Sequence, residues 1–203
     1  MKIICIGRNY VDHIKELGNQ VPSAPVFFLK PDTALLTRNR PFYYPPFSEN
    51  IHYEVELVLK ICKVGKNIQK RFAHTYYNEI GIGLDLTARD IQDEAKKKGL
   101  PWAISKGFDN SAPIGQFQPK ENFPDVTNMK FHLDLNGTTV QKGDSSLMLY
   151  PFDDIIVAIS KFMTLRTGDL IFTGTPAGVG PVKPGDKLEA YIEGSKLLSC
   201  LVK

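Results

Sequence analysis

The segment His52-Tyr53-Glu54-Val55-Glu56-Leu57-Val58-Leu59 places Tyr53, Val55, Leu57 and Leu59 at alternate positions, the period of a strand with one apolar face. Glu54 and Glu56 then share the opposite face, about 7 Å apart. Two carboxylates so placed can lean onto one hard cation, whose oxygen ligands lie about 2.0–2.6 Å away. They suit a solvated strand face equally well. Asp85 supplies a third carboxylate where the apolar stretch Ile80-Gly81-Ile82-Gly83-Leu84 ends. Arg89 and Gln92 follow it at i+4 and i+7, so a helix beginning near Asp85 would align a carboxylate, a cation and an amide. The alternative is an acidic helix start followed by an exposed, salt-bridged Arg.

His13 and Glu16 stand three apart in a short helical stretch, so the carboxylate can hold one ring nitrogen and leave the other free as a base. A surface His–Glu pair of little energetic weight has the same spacing. His52, His74 and His132 have no comparable partner and read as structural. Lys30, after Val26-Phe27-Phe28-Leu29, and Lys106, after Trp102-Ala103-Ile104-Ser105, are cations in apolar settings. Such lysines either bind anions or snorkel to water. Thr173-Gly174-Thr175-Pro176-Ala177-Gly178-Val179-Gly180 is a Gly/Pro-rich loop whose amides could approach a ligand; without a P-loop Lys or a GxGxxG it does not support nucleotide binding.

The elements that must hold these groups are mostly strands. Phe131-His132-Leu133-Asp134-Leu135 alternates and runs into Asn136-Gly137, a strong hairpin signal, and Leu188 to Glu193 does the same before Gly194. Gly143-Asp144, Gly168-Asp169 and Gly185-Asp186 read as turns. The spacing predicts helices from Tyr10 to Leu17, capped by Asn9 and stopped by Gly18; from Thr87 to Lys98, ended by Gly99; and from Phe152 to Met163, with Phe152, Ile155, Ile156, Ile159, Phe162 and Met163 on the core face. With no linker between halves, the 203 residues read as a single α+β, strand-dominated domain over 1–203.

Composition narrows the function. The 25 Lys+Arg against 22 Asp+Glu give a net charge of +3 without a basic face, which argues against nucleic acid, and no apolar run reaches bilayer length, which argues against a membrane span. Cys5, Cys62 and Cys200 lie far apart in apolar stretches and read as reduced, buried thiols of a cytoplasmic protein.

Taken together, the blocks Gly7-Arg8-Asn9-Tyr10 with His13 and Glu16, Phe28-Leu29-Lys30-Pro31, Tyr53-Glu54-Val55-Glu56-Leu57, Asp85-Leu86-Thr87-Ala88-Arg89-Asp90-Ile91-Gln92, Lys106-Gly107-Phe108 and Thr173-Gly174-Thr175-Pro176 resemble the fumarylacetoacetate hydrolase family. The run from Leu84 to Trp102 is most similar to its compact acylpyruvase and oxaloacetate decarboxylase branch. The resemblance implies a β-sandwich roll with few helices, a homodimer, and Mg²⁺ or Mn²⁺ on Glu54, Glu56 and Asp85 with no organic cofactor. It further implies a His13–Glu16 base dyad on a lid helix near 10–17, assistance from Lys106, and a substrate pocket lined by Lys30, Arg89, Gln92 and Thr175. Because the first motif begins at Gly7, no room is expected for a transit peptide.

The activity so implied is cleavage of small keto acids. Acylpyruvates such as acetylpyruvate and fumarylpyruvate would give pyruvate plus a carboxylic acid, and/or oxaloacetate would be decarboxylated, through a pyruvate enolate held on the metal. Two other readings stay open: an isomerase or decarboxylase of unsaturated keto-diacids from aromatic catabolism, and a metal-dependent carboxylate-binding protein without catalysis. The intact His13–Glu16 pair argues against the second.

Overall fold

The computed structural model describes residues 1–18 and 20–203. A six-stranded sheet runs in the order β2 (Val26–Lys30), β1 (Ile3–Gly7), β12 (Leu170–Phe172), β5 (Val55–Ile61), β6 (Tyr77–Leu84), β9 (Gln118–Pro119). Only β1 and β12 pair in parallel within it. An antiparallel sheet follows the order β11 (Thr138–Asp144), β10 (Lys130–Leu135), β14 (Lys187–Ile192), β15 (Ser195–Leu201). Short strands complete the body: β13 (Gly180–Pro181), β4 (Ile51–Tyr53) and β7 (Thr87–Ala88) in one sheet, β3 (Leu35–Leu36) and β8 (Ala112–Pro113) in another. The helices are α1 (Val11–Glu16), α2 (Lys70–Ala73), α3 (Arg89–Lys98), α4 (Ala103–Lys106) and α5 (Phe152–Phe162). The α+β, strand-dominated expectation holds.

The main core lies between the sheets and under α5: Leu57, Leu59, Ile82, Phe131, Leu133, Ile155, Ile156 and Ile159 belong to one buried cluster. A second, smaller cluster covers the other face of the six-stranded sheet with Val58, Ile3, Cys5, Ala112 and Phe172. Strand β5 is therefore buried on both faces, not on one as its alternation suggests, and Glu56 sits on the face it shares with Val58 inside the protein. That placement is costly for a carboxylate unless something compensates it.

Both predicted hairpins form, with Asn136 (φ 52°) and Gly137 (φ 80°), and Glu193 (φ 47°) and Gly194 (φ 75°), as left-handed pairs of the kind a two-residue turn requires. Gly143-Asp144 is not a turn but the end of β11, where Gly143 pairs with Phe131. A β-carbon at Gly143 would come within 2.1 Å of the buried Phe131 ring. Gly143→Ala should therefore cost about 1–3 kcal/mol. At this chain length that lowers Tm by several degrees in a thermal melt.

The helix boundaries shift for tertiary reasons. Thr87 and Ala88 pair with β4, so α3 starts at Arg89. Asn9 caps nothing: its amide donates to the carbonyls of Thr173 and Tyr150, tying the start of α1 to the loop after β12. Phe162, expected on the core face, is 73% exposed, and its ring meets Phe27 of the edge strand β2. Cys5 and Cys200 are buried free thiols, whereas Cys62 is only half-buried and donates to the Thr75 carbonyl. Among the described residues no helix is long and apolar enough to cross a membrane.

Candidate active site

Strands β4 and β5 are separated only by Glu54, whose carbonyl accepts the Asp85 amide at 2.8 Å. This bond, with Val55 paired to Leu84 and Glu56 to Gly83, seats Asp85 beside the two glutamates. One oxygen from each of Glu54, Glu56 and Asp85 lies within 4.8 Å of the others, and all three residues are at most 5% exposed.

The three carboxylates are compensated unequally. Lys106 Nζ donates to Glu54 Oε2 (2.8 Å), Asp85 Oδ2 (2.7 Å) and Thr87 Oγ1 (2.6 Å), and Arg89 Nη2 donates to Glu54 Oε1. Burial works against the charge of Glu54, but Lys106 and Arg89 outweigh it and hold the group well below the usual carboxylate range. Glu56 pairs with no cation among the described residues and accepts only the Gly174 N–H, at 2.7 Å. Burial, then the charges of Asp85 and Glu54, push its pKa well above 4.5.

Lys30 Nζ stands 2.7 Å from Asp85 Oδ1, yet the acceptors in hydrogen-bonding geometry around it are the carbonyls of Leu86, Lys106 and Ser111 and Ser111 Oγ, which share its three donors. Asp85 Oδ1 thus keeps ion-pair proximity without a hydrogen bond. An under-coordinated Asp85 oxygen, an unpaired Glu56 and an all-oxygen donor set are what a hard divalent ion satisfies, so the residues fit Mg²⁺ or Mn²⁺. Three buried cations (Lys30, Lys106, Arg89) already match three carboxylates, so a bound divalent ion would leave this centre two charges positive.

Helix α1 lies over the triad. His13 Nδ1 faces Glu16 Oε2 at 3.1 Å, and Glu16 Oε1 accepts the Gly178 N–H at 3.0 Å. Glu16 at Nδ1 leaves Nε2 as the ring nitrogen that no protein group engages among the described residues. The loop after β12 therefore aims its amides at carboxylates of the site, Gly174 at Glu56 and Gly178 at Glu16, and not at a nucleotide. Gly174 is required there: φ is 101°, and a β-carbon would come within 2.7 Å of Asn9 Cβ.

His13, Arg89, Gln92, Trp102, Lys106 and Thr175 line one cavity of about 40 Å³ with the triad at its floor. That volume holds little more than water, so the lining must move for an acid to enter. Arg89 links Glu54 to Gln92 through its two terminal nitrogens. Lys30 does not line the cavity: its ammonium is spent behind Asp85, on the segment that carries Lys106. The sequence also gave no sign of Gln141, which accepts the Val55 N–H through Oε1 and donates to Thr175 Oγ1 and the Pro176 carbonyl, each at 2.9 Å. It is one of several polar residues in β11, and only the packing of β11 against the 173–180 loop sets it apart.

Residues 2–202 match the family model described as fumarylacetoacetate (FAA) hydrolase C-terminal. The mitochondrial oxaloacetate tautomerase of Bos taurus is 46% identical over 192 residues, 95% of this chain and 87% of that protein. The mitochondrial oxaloacetate decarboxylase of Dictyostelium discoideum is 46% identical over 194 residues, 95% and 89% of the two chains. The crystal structure of fumarylpyruvate hydrolase from Pseudomonas aeruginosa in complex with Mn²⁺ and pyruvate superposes with a TM-score of 0.94 at 36% identity, covering 100% of this chain and 89% of that one.

Proposed function

Because the chain belongs to the fumarylacetoacetate hydrolase family, we propose that it is a divalent-metal-dependent enzyme acting on oxaloacetate, interconverting its keto and enol forms and releasing CO₂ from the same bound acid. The observation that carries this reading is that the lid base His13 and the acidic triad face a single cavity. Interconversion needs a proton moved at the carbon between two carbonyl groups, and decarboxylation needs the same negative charge accommodated at the 2-oxo oxygen. Cleavage of acylpyruvates is the second reading. It is favoured by the dyad, which can take a proton from water as well as from carbon, and by the likeness to fumarylpyruvate hydrolase.

Glu54, Glu56 and Asp85 would hold the ion, which supplies Lewis acidity toward the 2-oxo acid end of the substrate. His13 Nε2 takes and returns the proton, and Glu16 stabilises the imidazolium that forms. Arg89 and Gln92 bind the carboxylate end, with Thr175 fixed by Gln141 on the opposite wall. Lys106, saturated by Glu54, Asp85 and Thr87, bridges the two carboxylates and offers its charge to the developing oxyanion. Lys30 is a positioning residue for Asp85 and Lys106. Helix α1, once closed, excludes water.

Oxaloacetate, acetylpyruvate and fumarylpyruvate, each incubated with Mg²⁺ or EDTA and followed by NMR, test the reading. Metal-dependent enol–keto exchange and pyruvate formation from oxaloacetate are expected, and undiminished rates in EDTA would overturn the proposal. Exchange confined to unsaturated keto-diacids would replace it with the isomerase reading. The same proposal includes a cytoplasmic location, supported by the buried free thiols Cys5 and Cys200, and a homodimer, supported by the exposed apolar Leu100 and Ile104. Cell fractionation and sedimentation check them.

A further inference from the structure

We infer that Lys96 is the residue by which the enzyme selects acids with a second carboxylate, binding that distal group at the mouth of the cavity. The inference rests on the proposed function and names the part of the substrate that the deep end of the site leaves over.

Arg89, Gln92 and Lys96 fall at i, i+3 and i+7 on α3, and all three line the cavity. Each helical residue rises about 1.5 Å, so Lys96 stands about 6 Å beyond Gln92 and about 10 Å beyond Arg89, moving outward from Glu54. The cations at the deep end are largely engaged: Arg89 through its two terminal nitrogens to Glu54 and Gln92, with only Nε left over, Lys106 to Glu54, Asp85 and Thr87, Lys30 to Asp85 and three carbonyls. Lys96 is different. Among the described residues its ammonium donates no hydrogen bond; its carboxylate neighbour, Asp93, lies 3.8 Å away, and the Trp102 ring is 5.9 Å from Nζ.

The Lys96 side chain is 28% exposed. Burial, and then the charge of Arg89, pull its pKa below 10.5. A carboxylate arriving at the mouth would favour the charged form of Lys96 against both effects. The Trp102 face and the helix stem restrict where Nζ can go, so an acid whose 2-oxo end is held near Arg89 and Gln92 meets a positive charge at its far end. A monocarboxylate would leave that charge with the long Asp93 contact alone. Two positive charges in excess at the metal-loaded floor favour a dianion for the same reason.

The test compares oxaloacetate with its 4-ethyl ester, which undergoes the same enol–keto exchange without the distal charge, using the Mg²⁺-loaded full-length protein. The wild type should prefer oxaloacetate. In Lys96→Met the KM for oxaloacetate should rise about tenfold while kcat moves far less, in line with a partly screened ion pair. The ratio of kcat/KM for the acid over the ester should fall by the same factor, and Lys96→Arg should restore most of it. A Lys96→Met variant that loses both substrates by one common factor, or that keeps the wild-type ratio, overturns the role of Lys96 and leaves the proposed function standing. A wild-type protein that turns over neither compound overturns both.

Discussion

Glu56→Gln should melt at a higher temperature than the wild type in EDTA and yet lose the metal-supported reaction. Glu56 is the one member of the triad without a cation, buried against Asp85 and Glu54, and its folded pKa is raised above 4.5. The sign follows from linkage. Below pH 4.5 the group is protonated whether the chain is folded or not, so it costs nothing; as pH rises toward the folded pKa, the unfolded chain releases a proton that the folded chain keeps, and stability falls. An amide removes that slope and can still accept the Gly174 N–H. The advantage should be absent near pH 4.5 and grow toward pH 7.5, reaching about 1–2 kcal/mol, or several degrees in Tm.

The same amide cannot supply the charge a hard cation requires. Affinity for Mg²⁺ should drop by more than the 10–100-fold that loss of an outer partner of a metal ligand costs, and turnover should fall with it. Melting curves at the two pH values, each with EDTA and with Mg²⁺, read both halves. A variant that melts below the wild type in EDTA at pH 7.5, or that gains as much from Mg²⁺ as the wild type does, would sink the assignment of Glu56 as an ion ligand held ready by repulsion.

Period and turn chemistry made the hairpins, α5 and the Glu54–Glu56 pair legible, because those are local properties of the chain. What lay beyond reach was set by contacts across sheets. β5 alternates like a half-exposed strand, and only the second cluster around Val58 shows that Glu56 is interior. Lys30 and Lys106 look alike in sequence, each a lysine in an apolar stretch, but one faces carbonyls behind Asp85 and the other bridges Glu54 to Asp85. Gly143 reads as a turn until Phe131 is placed over it. Family resemblance grouped Lys30 with the pocket residues because a shared motif records position in the chain and not which atoms an ammonium has already satisfied.

His13→Asn should divide reactions that the triad alone would treat alike. Enol–keto exchange and acylpyruvate cleavage both need a base, for a proton on carbon in one case and on water in the other. Loss of the imidazole should lower kcat for each by about 10²–10⁴-fold. Decarboxylation starts with departure of CO₂ and needs no base for that step, so it should fall much less, while chelation of the metal should remove every reaction. Glu16→Gln should give an intermediate loss: its amide oxygen can still accept from Gly178 or from His13, but it no longer balances the charge of an imidazolium. Stability sets the control. His13 lies in a six-residue helix over the cavity and outside both apolar clusters, so His13→Asn should keep the wild-type rise in Tm on adding Mg²⁺. If decarboxylation and exchange fell by the same factor in a variant that still gains that stability from Mg²⁺, His13 would be closing the lid and not moving the proton.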